Sequence, residues 1–130
     1  MSKVPLISIV DDDDSVRNAT KGLLRSLGYD VAAFASAEEF LQSGRLNDTS
    51  CLIADVRMPG LNGFDLQRHL LDSGHRTPVI FITAFPGEGM RVRALRQGAR
   101  GFLRKPFAEA CLIKCLDRVF QNNDVRGIGQ

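Results

Sequence analysis

The chain has 130 residues, the length of one ordinary domain with a core of its own. Its 44% hydrophobic and 25% charged residues are typical of a soluble globular protein, and a net charge of +2 is too small to indicate nucleic acid binding. No apolar run is long enough to span a membrane or to form the core of a signal peptide, so we expect a cytoplasmic protein.

Five apolar runs predict five β-strands, each bounded by turn-forming residues. The predicted strands cover residues 6–10, 29–34, 51–54, 79–83 and 101–103. The second run is less apolar than the others, so we expect it at an edge of the sheet. The remaining runs are almost continuously apolar, which is typical of strands covered on both faces.

A helical pattern follows each strand. The first helix is predicted to carry apolar residues from Val16 to Leu27, with Asp13 or Asp14 as its cap. Ser36 opens the second helix, and Gly74 and Gly98 end the third and fourth. The last helix is predicted over residues 108–119. Alternation of strands and helices indicates an α/β fold with a parallel sheet between two helical layers.

Three cysteines fall inside predicted elements. An odd number without a spaced framework favours free, buried thiols over disulfides. Cys111 and Cys115 share a helix face, but no nearby histidine or cysteine pair completes a zinc site. We therefore predict that Cys51, Cys111 and Cys115 fill the core.

Polar side chains stand where the predicted strands end. Asp11 and Asp12 follow the first strand, Asp55 the third, Thr83 the fourth and Lys105 the fifth. Each alone is ordinary: a solvated cap, a turn, a strand residue or a surface lysine. Because parallel strands end at the same edge of a sheet, we expect these side chains to converge there.

Clustered carboxylates repel one another unless a positive group neutralises them. A small set of oxygen ligands selects a hard cation such as Mg²⁺, and Lys105 adds a positive charge on the same side. The expected guest is an anionic group such as a phosphoryl. Asp55 is the predicted acceptor, since carboxylates form aspartyl-phosphates.

The motifs resemble those of the receiver domain of two-component response regulators, most closely receivers of the FixJ type. They are IVDDD at 9–13, ADVRMPG at 54–60, PVIFITA at 78–84, GA at 98–99 and KPF at 105–107. The resemblance covers about residues 6–120. It implies a flavodoxin-like (βα)5 sandwich with strand order 2-1-3-4-5, a receiver domain over residues 1–122, and a flexible tail or the start of a linker over 123–130.

The resemblance also implies a metal site. It makes Asp55 the phosphoacceptor and a metal ligand, Asp12 a direct ligand, and Asp11 a ligand acting largely through water. The backbone carbonyl of Arg57 would complete the protein's ligands. The implied ion is Mg²⁺, with Mn²⁺ as a possible substitute.

Further residues receive roles by the same resemblance. Lys105 would contact the phosphoryl group and precede a cis bond to Pro106. Thr83 would contact the phosphoryl group and act as the switch hydroxyl, and Phe102 would be the switch aromatic that turns inward. Asp13 and Asp14 remain caps or solvated acids.

The implied function is a signalling switch. A sensor histidine kinase would donate a phosphoryl group to Asp55, and the surface formed by the fourth helix, fifth strand and fifth helix would change. That change would control homodimerisation or an output such as transcription. The chain would be no enzyme in the ordinary sense, only a phosphoacceptor that assists its own phosphotransfer and dephosphorylation. We expect no direct nucleic acid binding and no membrane contact.

Alternatives remain open. The chain could be a receiver-like interaction module that phosphate does not switch, and it could be a stand-alone receiver or a piece of a longer regulator. A nucleotide or flavin site is disfavoured because four aspartates would repel phosphate in the first loop. A calcium loop fails because Val16 and Gly22 occupy its glycine and glutamate positions. The arginines at 91, 93, 96, 100 and 104 form either a solvated helix face or a charged surface for a dimer or partner.

Overall fold

A central parallel sheet organises the domain. The computed structural model describes the backbone of residues 4–128 and the side chains of residues 4–120. Its strands are β1 (Leu6–Val10), β2 (Asp30–Phe34), β3 (Cys51–Asp55), β4 (Val79–Thr83) and β5 (Gly101–Arg104). They pair in parallel in the order β2-β1-β3-β4-β5, which confirms the predicted flavodoxin-like topology.

Helices connect successive strands and cover both faces of the sheet. A short 3-10 helix at Leu46–Asp48, which the sequence pattern did not indicate, precedes β3. The α-helices are α1 (Asp14–Ser26), α2 (Ala37–Gln42), α3 (Gly63–Asp72), α4 (Met90–Arg96) and α5 (Glu109–Ile128).

The core has two layers because strand side chains alternate across the sheet. In β3, Leu52 and Ala54 pack on one side, and Cys51 and Ile53 pack on the other. Both sides are covered, so every residue of β1, β3 and β4 is buried, and the three strands are almost continuously apolar. This rigid centre fixes the positions at which the strands end.

Side-chain caps set where α1 and α2 begin. Asp13 Oδ1 accepts from the backbone N–H of Ser15 at 2.9 Å and of Val16 at 3.1 Å, which confirms the predicted aspartate cap. Ser36 Oγ accepts from the Glu39 N–H at 3.0 Å. The first loop therefore uses Asp13 for folding and leaves its neighbours available for other contacts.

The last helix is longer than the sequence pattern indicated. Its backbone is helical to Ile128, beyond the predicted end at residue 119. The flexible tail or start of a linker expected over residues 123–130 stays a prediction. No glycine or proline occurs between Glu109 and Arg126, so no residue there ends the helix. Residues 129 and 130 lie outside the described residues, and a domain boundary after residue 122 stays a prediction.

Membrane-spanning length and hydropathy were assessed over residues 4–128. Within that range, no helix is both long and apolar enough to cross a membrane.

Candidate functional site

The ends of three strands bring four polar side chains together. Asp11 follows β1, Asp55 ends β3, and Lys105 follows β5. Carboxylate oxygens of Asp11, Asp12 and Asp55 lie within 4.8 Å of one another. Asp12, Asp55 and Lys105 also line an open depression of about 380 Å³, shared with Asp13, Arg57, Ala84 and Phe85. The convergence predicted from strand ends is therefore present for the three aspartates and Lys105.

Lys105 joins two buried carboxylates. Its Nζ lies 3.0 Å from Asp55 Oδ2 and 3.0 Å from Asp11 Oδ2. Its backbone N–H donates to the Thr83 carbonyl at 2.8 Å, which holds the start of the β5–α5 loop beside β4. The Lys105–Pro106 peptide bond is cis, as the resemblance implies. The ammonium group of Lys105 therefore forms ion pairs with both Asp11 and Asp55.

Burial sets the charge states at this rim. Burial raises the pKa of Asp55 to about 6, and the nearby charge of Asp11 adds to the rise while Lys105 opposes it. Burial also acts to lower the pKa of Lys105, but its hydrogen bonds to Asp11 and Asp55 outweigh that effect and leave the pKa raised. At neutral pH, Lys105 is protonated and Asp55 is an anion able to act as a nucleophile.

The carboxylates fit a hard divalent cation. Asp11 Oδ2 is buried and accepts no well-formed hydrogen bond from the described residues, although Lys105 Nζ lies at ion-pair distance. Asp11 Oδ1 accepts from the Asp13 N–H at 2.9 Å, so that acid is held in place. The three carboxylates converge, and Asp11 Oδ2 still has capacity to bind a ligand. This arrangement matches the all-oxygen ligand set that Mg²⁺ prefers.

Arg57 connects two loops across the mouth of the site. Its backbone N–H donates to Asp55 Oδ1 at 3.1 Å, and its Nε donates to the Phe85 carbonyl at 2.9 Å. The resemblance implied a role for the Arg57 carbonyl, which stays a prediction, and the side-chain contact was missed. No sequence pattern around residues 57 and 85 predicts a contact between these two loops.

Thr83 and Phe102 both lie inside the domain. Thr83 is fully buried, and its Oγ1 accepts from the Phe85 N–H at 3.3 Å. Phe102 is 5% exposed and packs in the same core cluster as Phe81 and Ala94. The resemblance implied an inward turn of Phe102, but in this conformation the ring is already inward. Their roles as switch residues stay predictions.

Glu38 supports the loop that follows Asp55, and sequence reasoning missed it. Its Oε2 accepts from the Leu61 N–H at 3.0 Å, which lowers the pKa of the Glu38 carboxyl. A Cβ on Gly60 would lie 2.6 Å from that same oxygen. Glu38 was not singled out from the sequence, because a contact between α2 and this loop leaves no local sequence pattern.

Comparisons with known proteins agree with this geometry. A family model described as "Response regulator receiver domain" matches residues 7–117. Nodulation protein W of Bradyrhizobium diazoefficiens is 45% identical over 108 residues, which are 83% of this chain and 48% of that protein. Transcriptional regulatory protein FixJ of Azorhizobium caulinodans is 39% identical over 107 residues, covering 82% of this chain and 51% of FixJ.

A solved structure of response regulator StyR superposes with a TM-score of 0.84 and 41% identity, covering 95% of this chain and 63% of StyR. The chain spans about half the length of the curated relatives it matches. With the sheet topology and the acidic rim already described, the family match leads to one conclusion. The chain belongs to the response regulator receiver domain family.

Proposed function

We propose that Asp55 accepts a phosphoryl group from the phosphohistidine of a sensor histidine kinase. The observation that supports this most is the contact of Lys105 with both Asp11 and Asp55 at the edge of an open depression. A buried aspartate beside a lysine and two further acids matches the requirements of aspartyl-phosphate chemistry. Receiver domains are typically not enzymes in the ordinary sense, and we assign this one as a phosphoacceptor that assists its own phosphotransfer and dephosphorylation.

The proposed transfer forms a bond between an Asp55 carboxylate oxygen and phosphorus. The phosphorus–nitrogen bond of the donor histidine breaks, and its electron pair stays on the imidazole, which then takes up a proton. A divalent cation such as Mg²⁺, or Mn²⁺ in its place, held by Asp11, Asp12, Asp55 and the Arg57 carbonyl, would offset charge on the phosphoryl oxygens. Lys105 would bind a phosphoryl oxygen from the other side.

The proposed switch passes through the loop between β4 and α4. The Thr83 hydroxyl would move to the phosphoryl group and release the Phe85 N–H that it now accepts from. The packing of Phe102 would then change the surface formed by α4, β5 and α5, with dimerisation or an output as the result. Transcription is the output we infer, because a relative is named as a transcriptional regulatory protein. A cytoplasmic location stays a prediction.

A second candidate function is a partner-binding module that phosphate does not switch. The inward position of Phe102 favours it, because the aromatic residue already occupies the place that phosphorylation is expected to give it. On this hypothesis, phosphorylation of Asp55 would leave the surface unchanged.

One experiment tests both candidates. Intact-protein mass is measured after incubation with acetyl phosphate and Mg²⁺, for the wild type and for Asp55→Asn, with a sizing column run in parallel. We expect one phosphoryl group on the wild type alone, together with a shift in elution. Phosphorylation without a shift would favour the unswitched module, and equal labelling of Asp55→Asn would refute the acceptor assignment.

A further inference from the structure

The connection between β3 and α3 is held where it joins the two elements. The Gly63 N–H donates to the Val56 carbonyl at 3.0 Å, which closes the connection on itself. Asn62 exchanges hydrogen bonds with Asp65 as the cap of α3. The segment between these contacts, residues 57–61, is here called the acceptor loop. Its conformation depends on what other elements contribute to it.

Glu38 of α2 supplies that contribution. Its Oε2 accepts from the Leu61 N–H at 3.0 Å, and among the described residues this is the only hydrogen bond that residues 58–61 make with another element. Gly60 allows the close approach, because a Cβ there would lie 2.6 Å from the same oxygen. Met58 and Leu61 also pack against the core, but apolar packing is non-directional and does not fix the backbone polar groups.

The neighbouring acid Glu39 has a different task. Its Oε1 accepts from the Ala35 N–H at 3.0 Å, and its own N–H donates to Ser36 Oγ at 3.0 Å. Both contacts lie at the start of α2 itself. Two consecutive acids in one helical turn therefore differ in what they hold: Glu39 caps the helix, and Glu38 holds the acceptor loop.

The acceptor loop connects Glu38 with the site. Arg57 begins it, and the Arg57 N–H donates to Asp55 Oδ1 at 3.1 Å. The hydrogen bond from Leu61 and one from its own N–H lower the pKa of the Glu38 carboxyl, so Glu38 is an anion at neutral pH. A hydrogen bond to an ionised carboxylate is stronger than one between neutral groups. The backbone that follows Asp55 is therefore anchored by a charged group on another element.

We propose that Glu38 is a positioning residue for the metal site, which acts by fixing the acceptor loop and with it the Arg57 carbonyl. Without the bond to Glu38, the loop would sample more conformations, and binding of a cation would have to order it. The maximal rate of transfer would change little, because the sheet holds Asp55 and Lys105 independently of this loop. The inference rests on the proposed function for the role of the Arg57 carbonyl.

The test compares three substitutions of Glu38 with Glu39→Ala, the matched control that removes a carboxylate from the same turn of α2. Mg²⁺ affinity is measured by NMR titration of the unphosphorylated protein, which requires no transfer. We expect Glu38→Ala to weaken Mg²⁺ binding about tenfold. Glu38→Asp should weaken it similarly, because the shorter side chain does not reach Leu61. Glu38→Gln should weaken it less, because its amide oxygen still accepts.

Two further measurements separate positioning from general stability. Amide hydrogen exchange of Leu61 in EDTA should quicken in Glu38→Ala and stay unchanged in Glu39→Ala. Labelling by acetyl phosphate should need about tenfold more Mg²⁺ for half its maximal rate in Glu38→Ala, while the rate at saturating Mg²⁺ stays near that of the wild type. A purely structural role for Glu38 would leave the Mg²⁺ requirement unchanged.

Unchanged Mg²⁺ affinity in Glu38→Ala, or an equal loss in Glu39→Ala, overturns the proposal. Thermal unfolding checks each variant, and Glu38→Asp decides by the same criterion if Glu38→Ala does not fold. Mg²⁺ binding that depends on Glu38, without any labelling of Asp55, would support the positioning role and overturn the proposed phosphoryl transfer alone. A wild type that binds no Mg²⁺ would overturn both.

Discussion

Asp55 illustrates, at the level of one residue, how a functional charge lowers stability. Its carboxylate is 4% exposed, and burial raises its pKa from 3.8 to about 6. The folded domain therefore holds a proton on Asp55 more tightly than the unfolded chain does. The wild type gains stability as pH falls through about 6 and loses that gain as pH rises again.

We expect Asp55→Asn to stabilise the metal-free fold at pH 7.5 by about 1–3 kcal/mol, because it removes a buried anion. The advantage should shrink at pH 5, where Asp55 of the wild type is largely protonated. Denaturant unfolding in EDTA at both pH values measures it, with exposed Asp30→Asn as a control. A wild type as stable as Asp55→Asn at pH 7.5 would contradict the assigned pKa.

The cysteines allow a second test at this scale. Burial raises the pKa of Cys51 to about 12 and also raises that of Cys115, whereas Cys111 is exposed. Iodoacetamide at pH 8 should therefore add one adduct rapidly to the native protein, because the thiolate is the reactive form. Cys111→Ser should remove that adduct. Rapid labelling of Cys51 in the folded state would show that β3 is more accessible than described.

Single residues differ in how far the sequence predicts them. Asp11, Asp55 and Lys105 were predictable because strand ends determine their position. Cys111 was predicted to be buried, and that was wrong: the spacing of an α-helix does not tell which neighbours cover each residue. The Arg57–Phe85 contact was missed because it depends on the relative placement of two loops.

At the level of elements, the connection between β3 and α3 leaves no free space. A Cβ on Gly63 would lie 2.6 Å from the backbone carbonyl oxygen of Asp55. The backbone cannot move aside as a flexible side chain can, so α3 begins directly against Asp55. Glu38 holds the same loop from α2 through the Leu61 N–H.

We expect Gly63→Ala to destabilise the domain by about 1–3 kcal/mol and to slow phosphorylation, because the methyl group displaces the backbone of Asp55. The matched control is Gly22→Ala in α1, where nothing lies within 4 Å of the added Cβ. That change should stabilise by about 0.5–1 kcal/mol through helix propensity. Thermal unfolding and acetyl phosphate labelling measure both. Equal effects of the two substitutions would remove the steric explanation.

The strands were predicted nearly to the residue, because β1, β3 and β4 are buried on both sides and bounded by turn residues. The ends of elements that lack bounding turn residues were not predicted. The 3-10 helix at Leu46–Asp48 has no periodicity of its own, and the extension of α5 to Ile128 runs through polar residues that show no apolar stripe.

At the level of the whole molecule, the acidic cluster that we propose as a metal site forms only on folding. Asp11, Asp12 and Asp55 are brought within 4.8 Å by pairing of β1 with β3. A cation that binds the folded state alone stabilises it by mass action, by about 1.4 kcal/mol when its concentration is ten times the dissociation constant.

Mg²⁺ should therefore raise the unfolding temperature of the wild type, and Asp12→Ala should reduce that rise strongly. Asp14→Ala is the control, because Asp14 begins α1 and lies outside the acidic cluster. Thermal unfolding over a range of Mg²⁺ concentrations measures the response. An unchanged response in Asp12→Ala would exclude Asp12 as a ligand.

The lysine shared by Asp11 and Asp55 has one more consequence. The cluster of Asp11, Asp12 and Asp55 carries three carboxylates, and among residues 4–120 only Lys105 forms an ion pair with it, so the cluster has a built-in charge deficit. Because of that deficit, we expect the charge of an ion to affect its binding at this cluster more than its size does. A monovalent ion would leave the cluster with a net negative charge, whereas a divalent ion would balance that charge. A phosphoryl group would add negative charge and again require a cation. We therefore expect metal occupancy and the acceptance of phosphate to be linked through electroneutrality.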